Sequence, residues 1–331
     1  MLTQNACPGD TMITPLDPVI AEIIPKLPLR DPETMTPQSA RDALRALAAA
    51  RAAVPPPPVA SALDAEVKGA AGQLAARVYR VSDAKSPTVV FFHGGGWVAG
   101  DLETHDRQAR LLAIETGAVV VSVDYRRPPE TRVPGAFEDA LAAMRDVFAR
   151  IAEFGGDSAR LGVAGDSAGG NLAATVAIAC RDAGIGLAAQ LLVYPVTDVA
   201  GGYADPTENA RFASRADNAE GYFLSRAVME WFCGHYLDDV GHGVDWRVSP
   251  LRAKSHAGLA PAVVCTAWFD PLRDEGKAYA EELAAAGVTT RYHHGAGLIH
   301  GYFGLGDASE TARGEAQRAR ADFRAMLERG V

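Results

Sequence analysis

LGVAGDSAGGNL, residues 161–172, joins an apolar run to an alanine-rich segment through a G-x-S-x-G pentapeptide. The apolar run is typical of a buried strand, and the segment after it is typical of a helix that reaches about Arg181. A serine at so sharp a strand-to-helix turn has a strained backbone, so the positions two before and two after it must lack bulk, as Gly165 and Gly169 do. Such a turn presents the Ser167 hydroxyl at the carboxyl end of the strand. A glycine turn that only closes a parallel strand is the alternative, but the strand before it and the helix after it favour the functional interpretation.

The composition describes an ordinary globular protein that can bury a large core. The chain has 331 residues, 48% hydrophobic and 22% charged, a length that fits one large α/β domain with additions or two domains. Its net charge of −9 argues against a nucleic-acid partner, which would need a basic face. No segment approaches the roughly 20 uninterrupted apolar residues that span a bilayer. We therefore expect neither a nucleic-acid partner nor a membrane span.

The cysteines and the amino terminus predict a cytoplasmic protein. The four cysteines show no C-x-x-C or other metal spacing, and we interpret them as reduced thiols. They are Cys7, Cys180, Cys233 and Cys265. The first ten residues, MLTQNACPGD, lack a basic region followed by an apolar one, so we expect no signal peptide.

Residues 1–58 differ in character from the rest and predict two short amphipathic helices. The first begins at Asp17 and is ended by Pro25 and Pro28. The second begins at Thr36, and the four prolines at 55–58 then predict a stiff linker. Two such helices cannot form a core alone, so they either pack against the flank of the main domain or form a lid over a cleft.

From residue 64 onward, strand patterns alternate with helix patterns. A hairpin through Gly72 is followed by six apolar runs that predict strands. They are Thr88–His93, Ala118–Asp124, Arg160–Gly165, Leu187–Tyr194, Ala262–Ala267 and Thr289–His294. The helices predicted between and after them are His105–Glu115, Pro134–Glu153, Ala168–Arg181, Arg273–Ala286 and Ala308–Glu328. This alternation predicts an α/β fold with a mostly parallel sheet covered on both faces and an active site at the carboxyl ends of its strands.

A glycine-rich loop, HGGGW at 93–97, follows the first strand of that series. Consecutive glycines let backbone N–H groups approach a ligand and point to one spot. In acyl transfer such donors stabilise the oxyanion, and the loss of one donor typically costs about 10²–10³ in rate. A phosphate cradle is a competing use, but no Lys-Ser or Lys-Thr follows the glycines. A purely structural glycine turn is the remaining alternative.

Four motifs occur in order along the chain: HGGGW at 93–97, GDSAGG at 165–170, DPLRDE at 270–275 and a late His-Gly at 300–301. Together they resemble the bacterial hormone-sensitive-lipase-like (family IV) esterases of the α/β-hydrolase superfamily, from about Leu63 to the carboxyl terminus. The resemblance implies the α/β-hydrolase fold, with a mostly parallel eight-stranded sheet flanked by helices and a helical cap. The chain departs from the family at residues 127–130, which read RPPE rather than a Leu-Ala-Pro-Glu type of sequence. That departure touches a structural loop.

The resemblance also implies roles within the glycine loop and the elbow. The oxyanion donors would be the backbone amides of Gly95, Gly96 and Ala168. His93 would organise the loop rather than act as the base.

Ser167 needs a base, and eight histidines compete for that role. In this fold the order along the chain is nucleophile, acid, histidine, with the histidine in a loop after the last strand. His293 and His294 still belong to the last predicted strand, whereas His300 lies beyond it. We therefore predict His300 as the base, in agreement with the family's late His-Gly, and a surface loop histidine is the alternative.

Two aspartates follow strands and are candidates to orient the histidine, Asp270 and Asp198. Asp274 falls in the first turn of a predicted helix, where a carboxylate favours the helix terminus electrostatically. The family motif places the acid at the first aspartate of DPLRDE. We therefore predict Asp270 and keep Asp198 as its rival.

The connection from Tyr194 to Ala262 is far longer than usual and predicts a functional insertion. Ser225 opens a helix within it, and its aromatic residues form a core of their own or contact substrate. By the resemblance, residues 1–58 and about 197–247 form a cap over a catalytic domain at 59–331. A cap limits the substrate pockets, which implies short- to medium-chain esters.

The sequence therefore predicts a carboxylesterase with the triad Ser167, Asp270 and His300 and with no metal or organic cofactor. The same triad could cleave an amide or transfer the acyl group to an alcohol. The fold also resembles the plant gibberellin receptor, a small-molecule binding protein that lacks the catalytic histidine. A final edge strand near Thr289–His294 could pair between subunits, so a homodimer is a further expectation.

Overall fold

Eight strands of the described residues form a single sheet. The structure, a computed structural model, describes residues 14–27, 31–51 and 54–331. The strands are β1 (Ser61–Gly69), β2 (Gly72–Arg80), β3 (Ser86–Phe92), β4 (Val119–Val123), β5 (Gly156–Asp166), β6 (Ala189–Val193), β7 (Ala262–Phe269) and β8 (Thr290–Ile299). Their order in the sheet is β1-β2-β4-β3-β5-β6-β7-β8. β2 is antiparallel to both of its neighbours, and every other neighbouring pair is parallel.

Helices separate most of these strands along the chain. The α-helices are α1 (Pro18–Ile23), α2 (Pro37–Ala50), α3 (Leu102–Thr116), α4 (Gly135–Ala149), α5 (Ala168–Asp182), α6 (Pro206–Asn209), α7 (Ser214–Asp217), α8 (Arg226–Tyr236), α9 (Arg273–Ala285) and α10 (Glu310–Leu327). Short 3-10 helices lie at Ile24–Lys26, Ala200–Tyr203, Val240–Val244, Pro250–Arg252 and Tyr302–Gly304.

Alternate side chains of β3 pack on opposite faces of the sheet. Val89 and Phe91 belong to a hydrophobic cluster that includes residues of α3 and α10. Val90 and Phe92 belong to a second cluster that includes residues of α4 and α5. A parallel strand buried on both faces has an unbroken apolar sequence, which is why this run predicts a strand without any alternation. The predicted fold class, an α/β-hydrolase fold with a mostly parallel eight-stranded sheet and flanking helices, is confirmed.

Several strands extend beyond the stretches that the sequence predicts, β5 and β8 by four or more residues. β1 begins at Ser61, before residue 64, where the strand patterns of the sequence begin, because this partly exposed edge strand lacks a clear alternation of apolar residues. β8 continues past His294 through two glycines to Ile299. The next residue, His300, therefore lies directly at the carboxyl end of a strand.

The amino-terminal helices lie against the sheet domain. The side chain of Asp17 caps α1, and its backbone N–H donates to the carbonyl oxygen of Gly297 at 2.9 Å. Thr36 forms a capping box at the start of α2. Arg41 of α2 donates through Nε to the carbonyl oxygen of Val98 at 2.9 Å, which ties this helix to the end of the glycine loop. Both helices begin where the sequence predicts.

The connection between β6 and β7 carries α6, α7 and α8, and it is anchored beside the end of β7. Arg215 of α7 forms an ion pair with Glu275 of α9, with Nη2 and Oε2 2.7 Å apart and both side chains almost fully buried. Asn218 donates to the carbonyl oxygen of Asp270 at 3.1 Å. Breaking a buried ion pair leaves an uncompensated charge, so contacts of this kind hold the connection in one position. Ser225 caps α8 as predicted.

The described cysteines are free thiols, since Cys180, Cys233 and Cys265 are all buried and unpaired. Cys7, the first ten residues and Pro28 lie outside the described residues. Within the three described ranges, no helix has the length and apolar character that a bilayer span requires.

Candidate active site

The turn between β5 and α5 holds Ser167 in a strained conformation. Its φ of 56° and ψ of −119° are rare for a residue with a side chain. A Cβ on Gly165 would lie 2.1 Å from the carbonyl oxygen of Gly169. A Cβ on Gly169 would lie 2.0 Å from the carbonyl oxygen of Phe92. The turn therefore needs both glycines, for the steric reason that the sequence pattern indicates.

Three side chains that are far apart in the sequence meet at this turn. Nε2 of His300 lies 2.9 Å from Oγ of Ser167. Nδ1 of the same ring lies 2.7 Å from Oδ2 of Asp270, whose side chain is fully buried. The other carboxylate oxygen of Asp270 accepts from the backbone N–H of Leu272 at 2.9 Å, so the carboxylate is held on both sides. The Tyr194 ring packs against His300 with 4.6 Å between the ring centroids.

The rival acid, Asp198, lies in a different set of contacts. Its carboxylate is paired with Arg211 at 2.6 Å and with Arg252 at 2.9 Å. Both arginines follow β6 along the chain and hold the insertion rather than His300. The structure therefore brings Asp270, and not Asp198, to the candidate base.

All eight histidines lie in the described residues, and His300 is the one in contact with Ser167. His293 instead faces Asp322, with Nε2 and Oδ2 2.9 Å apart. His294 packs edge-on against Trp268. His93, His105, His235, His242 and His256 have other partners.

The glycine loop approaches its neighbours so closely that side chains are excluded. A Cβ on Gly95 would lie 2.4 Å from the carbonyl oxygen of Ala99, and a Cβ on Gly96 would lie 2.2 Å from the ring of Phe232. Both glycines also have positive φ, 121° and 61°. Within residues 14–27, 31–51 and 54–331, the N–H groups of Gly95, Gly96 and Ala168 have no hydrogen-bond acceptor. These three backbone donors are thus available to a ligand.

The buried ring of His93 helps to hold the shape of this loop. Its ring stacks on Tyr125 with 4.4 Å between centroids, and its Nδ1 lies 2.9 Å from the carbonyl oxygen of Gly94. The Tyr125 hydroxyl donates to the carbonyl oxygen of His93 at 2.8 Å. Burial lowers the pKa of His93, so the ring is held neutral.

Asp166 has a role that sequence reasoning missed. Its Oδ1 accepts from the backbone N–H of Gly94 at 3.0 Å and lies 3.4 Å from Nε2 of His105. Burial raises the pKa of the Asp166 carboxyl, but His105, His93 and the Gly94 N–H outweigh burial and lower it overall, so the carboxyl stays ionised. The one signal in the sequence was its place directly before Ser167, which says nothing about a partner in another loop.

A cavity of about 110 Å³ opens over Ser167 and His300. The wall contributed by α2 includes Leu44, Leu47 and Arg51, and the wall contributed by the insertion includes Leu224, Met229 and Phe232. Gly95 and Gly96 line the same cavity. The cavity therefore combines apolar side chains from α2 and from the insertion with polar groups that include Ser167, His300 and Arg51.

Comparisons with known proteins identify the family to which this chain belongs. The family model described as the α/β-hydrolase fold matches residues 89–304. Esterase LipI of Mycobacterium tuberculosis is 36% identical over 318 residues, which are 94% of this chain and 95% of that protein. Carboxylesterase NlhH of the same organism is 41% identical over 244 residues, 71% of this chain and 74% of that protein. The solved structure of a Pyrobaculum calidifontis esterase superposes with a TM-score of 0.87 at 36% identity, covering 94% of this chain and 99% of that one. The chain therefore belongs to the hormone-sensitive-lipase-like esterases of the α/β-hydrolase fold.

Proposed function

We propose that this carboxylic ester hydrolase cleaves short- to medium-chain carboxylic esters through an acyl-enzyme formed on Ser167. The observation that carries the proposal is the unbroken chain of contacts from Ser167 Oγ through His300 to Asp270. A hydroxyl is a weak nucleophile until a base accepts its proton, and the base must be held in the right tautomer. The three side chains have the order and the distances that such a mechanism needs.

In the first half of the reaction, Ser167 Oγ attacks the ester carbonyl while His300 Nε2 takes the hydroxyl proton. The carbonyl oxygen becomes an oxyanion, and the tetrahedral intermediate collapses as His300 returns the proton to the leaving alcohol. In the second half, His300 takes a proton from a water molecule as it attacks the acyl-enzyme. The second tetrahedral intermediate collapses as His300 returns that proton to Ser167 Oγ, which releases the acid and restores the free serine. Asp270 accepts from Nδ1 throughout and stabilises the imidazolium that forms in each half.

The backbone amides of Gly95, Gly96 and Ala168 hold the oxyanion in this mechanism. Their availability supports the assignment, since their N–H groups have no acceptor in the described part of the chain. Donors fixed by the backbone do not reorganise as charge develops, which makes them effective in a site that excludes water. The mechanism requires no metal and no organic cofactor.

Residues 1–58 and about 197–247 act in this proposal as a cap on a catalytic domain at 59–331. Support comes from the cavity at Ser167, because Leu44 and Leu47 approach it from α2 while Leu224 and Met229 approach it from the insertion. A small, mostly apolar cavity closed by two such segments favours short to medium acyl chains over the tails of long triglycerides.

Amide cleavage and acyl transfer to an alcohol remain alternatives for the same triad. The contact between His300 and Ser167 favours turnover over ligand binding alone, because a receptor has no need of a base at this position. A homodimer that pairs through β8 (Thr290–Ile299) also remains a prediction, since β8 is an edge strand of the sheet.

A series of 4-nitrophenyl esters from acetate to palmitate tests the proposal. The wild-type protein should hydrolyse the short and medium members, and Ser167→Ala should show only the background rate. If the wild type does not exceed Ser167→Ala with any member, the proposed hydrolysis is wrong. A maximum at palmitate would leave hydrolysis standing and overturn the chain-length assignment.

A further inference from the structure

Arg51, the residue directly after α2, lies in the wall of the cavity and has no ion-pair partner among the described residues. Its side chain lines the same cavity as Ser167 and His300 and is partly buried. In the part of the chain that the structure describes, no side chain or backbone oxygen forms a hydrogen bond or an ion pair with its guanidinium group. A charge withdrawn from water is costly unless an opposite charge or a ligand compensates it.

The other arginines of α2 show that this is not a general feature of the helix. Arg41 forms a two-pronged pair with Glu130, at 2.8 and 2.7 Å. Arg45 is paired with Asp101 at 2.7 Å. Neither of them lines the cavity over Ser167. Of these three arginines, the one that has no counter-ion within the described ranges is thus the one that lines the cavity.

Asp307, the acid that acts on the charge of Arg51, does not neutralise it. Burial lowers the pKa of the Arg51 guanidinium, while Asp307 acts in the opposite direction. Asp307, however, already binds Arg107, whose Nε lies 2.6 Å from its Oδ2 and whose Nη2 lies 2.6 Å from its Oδ1. An arginine begins from so high a pKa that it stays cationic at neutral pH, so Arg51 brings an uncompensated positive charge to the cavity.

A second polar group lies beside Arg51. Nη1 of Arg51 and Nε2 of Gln108 lie 3.1 Å and 3.6 Å from the point that a Cβ of Gly304 would occupy. The absence of a side chain at Gly304 leaves room for both groups at one place in the wall. No hydrogen bond occupies the amide of Gln108 among the described residues, so two sets of N–H donors are available together.

Carboxylates elsewhere in the cavity do not cancel this charge. Asp166 also lines the cavity, but its Oδ1 is engaged by the Gly94 N–H and His105. Tyr194 packs on His300 with 4.6 Å between the ring centroids, and Arg51 lines the same cavity as both of them. An ester substrate bound at Ser167 therefore occupies a cavity of about 110 Å³ that it shares with Arg51.

We propose that Arg51 and Gln108 form an anion subsite, which binds a carboxylate carried by the ester substrate at a distance from the bond that is cleaved. A guanidinium group presents a planar set of donors that matches a carboxylate, which makes this the ligand chemistry that fits best. The inference rests on the proposed ester hydrolysis and narrows its substrate class to esters with a second, ionised carboxyl group.

Matched ester pairs test the subsite. Mono-4-nitrophenyl adipate is compared with 4-nitrophenyl hexanoate for a carboxylate on the acyl side. The butyrate ester of 5-hydroxypentanoate is compared with pentyl butyrate for one on the alcohol side. The quantity compared is the kcat/KM of the charged ester divided by the kcat/KM of its neutral partner. For at least one pair, Arg51→Gln should lower this ratio by about 10- to 100-fold, which is the range expected for hydrogen bonds to a charged group. The ratio for Arg51→Lys should lie between those of the wild type and Arg51→Gln, because lysine keeps the positive charge but lacks the planar set of donors of a guanidinium group.

Arg45→Gln is the matched control, because it removes the same charge from the same helix outside the cavity. It should leave both ratios as in the wild type. The proposal is overturned if Arg51→Gln changes neither ratio, or if Arg45→Gln changes one as much. If Arg51→Gln does not fold, the wild type alone still tests the proposal. The anion subsite is overturned if the wild-type kcat/KM of each charged ester is about 100-fold or more below that of its neutral partner.

Failure of the subsite differs from failure of the proposed hydrolysis. The neutral esters report hydrolysis, and loss of their turnover in the wild type would overturn that proposal alone. Calorimetric titration with adipate then tests the subsite directly. The wild type should bind it, and Arg51→Gln should bind it about 10-fold or more weakly. Equal binding by the two proteins would overturn the subsite.

Discussion

The carboxylate of Asp166 accepts a hydrogen bond from the backbone N–H of Gly94 at 3.0 Å. This bond joins the residue before the elbow serine to the loop that carries Gly95 and Gly96. The fit is tight, because a Cβ on Gly94 would lie 2.5 Å from Oδ2 of the same carboxylate. One buried side chain therefore helps to hold the loop of Gly95 and Gly96 beside the nucleophile.

Asp166→Ala should lower kcat for a neutral ester by about 10² while Ser167 stays in place, because the glycine loop loses its anchor. Asp166→Asn keeps an oxygen acceptor for the Gly94 N–H, so kcat should fall less than in Asp166→Ala. Steady-state kinetics on purified variants measure both effects, with surface Asp157→Ala as the control. Equal kcat for Asp166→Ala and the control would show that the loop holds its position without this bond.

Asp270→Asn and Asp198→Asn should have opposite effects on activity and stability. The first should cut kcat by about 10⁴ with little change in thermal stability, because the wrong tautomer of His300 is favoured. The second should lower Tm and spare kcat, because Asp198 holds Arg211 and Arg252 instead. Kinetics and thermal unfolding of both variants make the comparison. Loss of activity in Asp198→Asn with retention in Asp270→Asn would reverse the assignment.

Gly96→Ala should damage the site, whereas Gly117→Ala should not. Both glycines have left-handed backbones, with φ of 61° and 69°, so each alanine carries similar strain of about 1–2 kcal/mol. The methyl group at position 96 would lie 2.2 Å from the Phe232 ring, while none of the surroundings of Gly117 lies within 4 Å. We expect kcat/KM to fall at least about tenfold more for Gly96→Ala. Similar kcat/KM values for the two variants would contradict the prediction, because they would mean that the glycine loop and the Phe232 ring can move apart to admit the methyl group.

His293 should make the folded state more stable at low pH. Burial lowers the pKa of His293, but Glu315 and Asp322 outweigh burial and raise it above its ordinary value of 6.5. A raised pKa in the folded state contributes stability that is complete below about pH 6.5 and is lost as the pH rises through the folded value. His293→Gln should therefore reduce the difference in Tm between about pH 6 and about pH 9.

The exposed pair of His242 with Asp238 provides the control for this measurement. His242→Gln should change the pH dependence of Tm much less, because solvent screens that pair. An unchanged pH dependence in His293→Gln would contradict the assignment of the effect to this histidine.

The sequence alone determined the elements whose causes are local. The run of apolar residues before the glycine loop predicts a strand, and Gly165 and Gly169 predict the turn that holds Ser167. The order of the motifs along the chain also led to His300, because the histidine follows the last strand. These inferences depend on a few neighbouring residues and on steric limits of the backbone, which do not require a tertiary structure.

The tertiary structure alone decided which distant groups meet. Asp198 and Asp270 both follow strands. The resemblance to the family favoured Asp270, but only the contacts in the structure show that Asp270 meets His300 and that Asp198 is paired with Arg211. Asp166 has no readable role until the glycine loop lies beside it. The role proposed for Arg51 likewise depends on the cavity, because the sequence does not distinguish an arginine on the surface from one that lines the cavity over Ser167. Charge and hydrogen bonding act through space, and the chain order does not contain those distances.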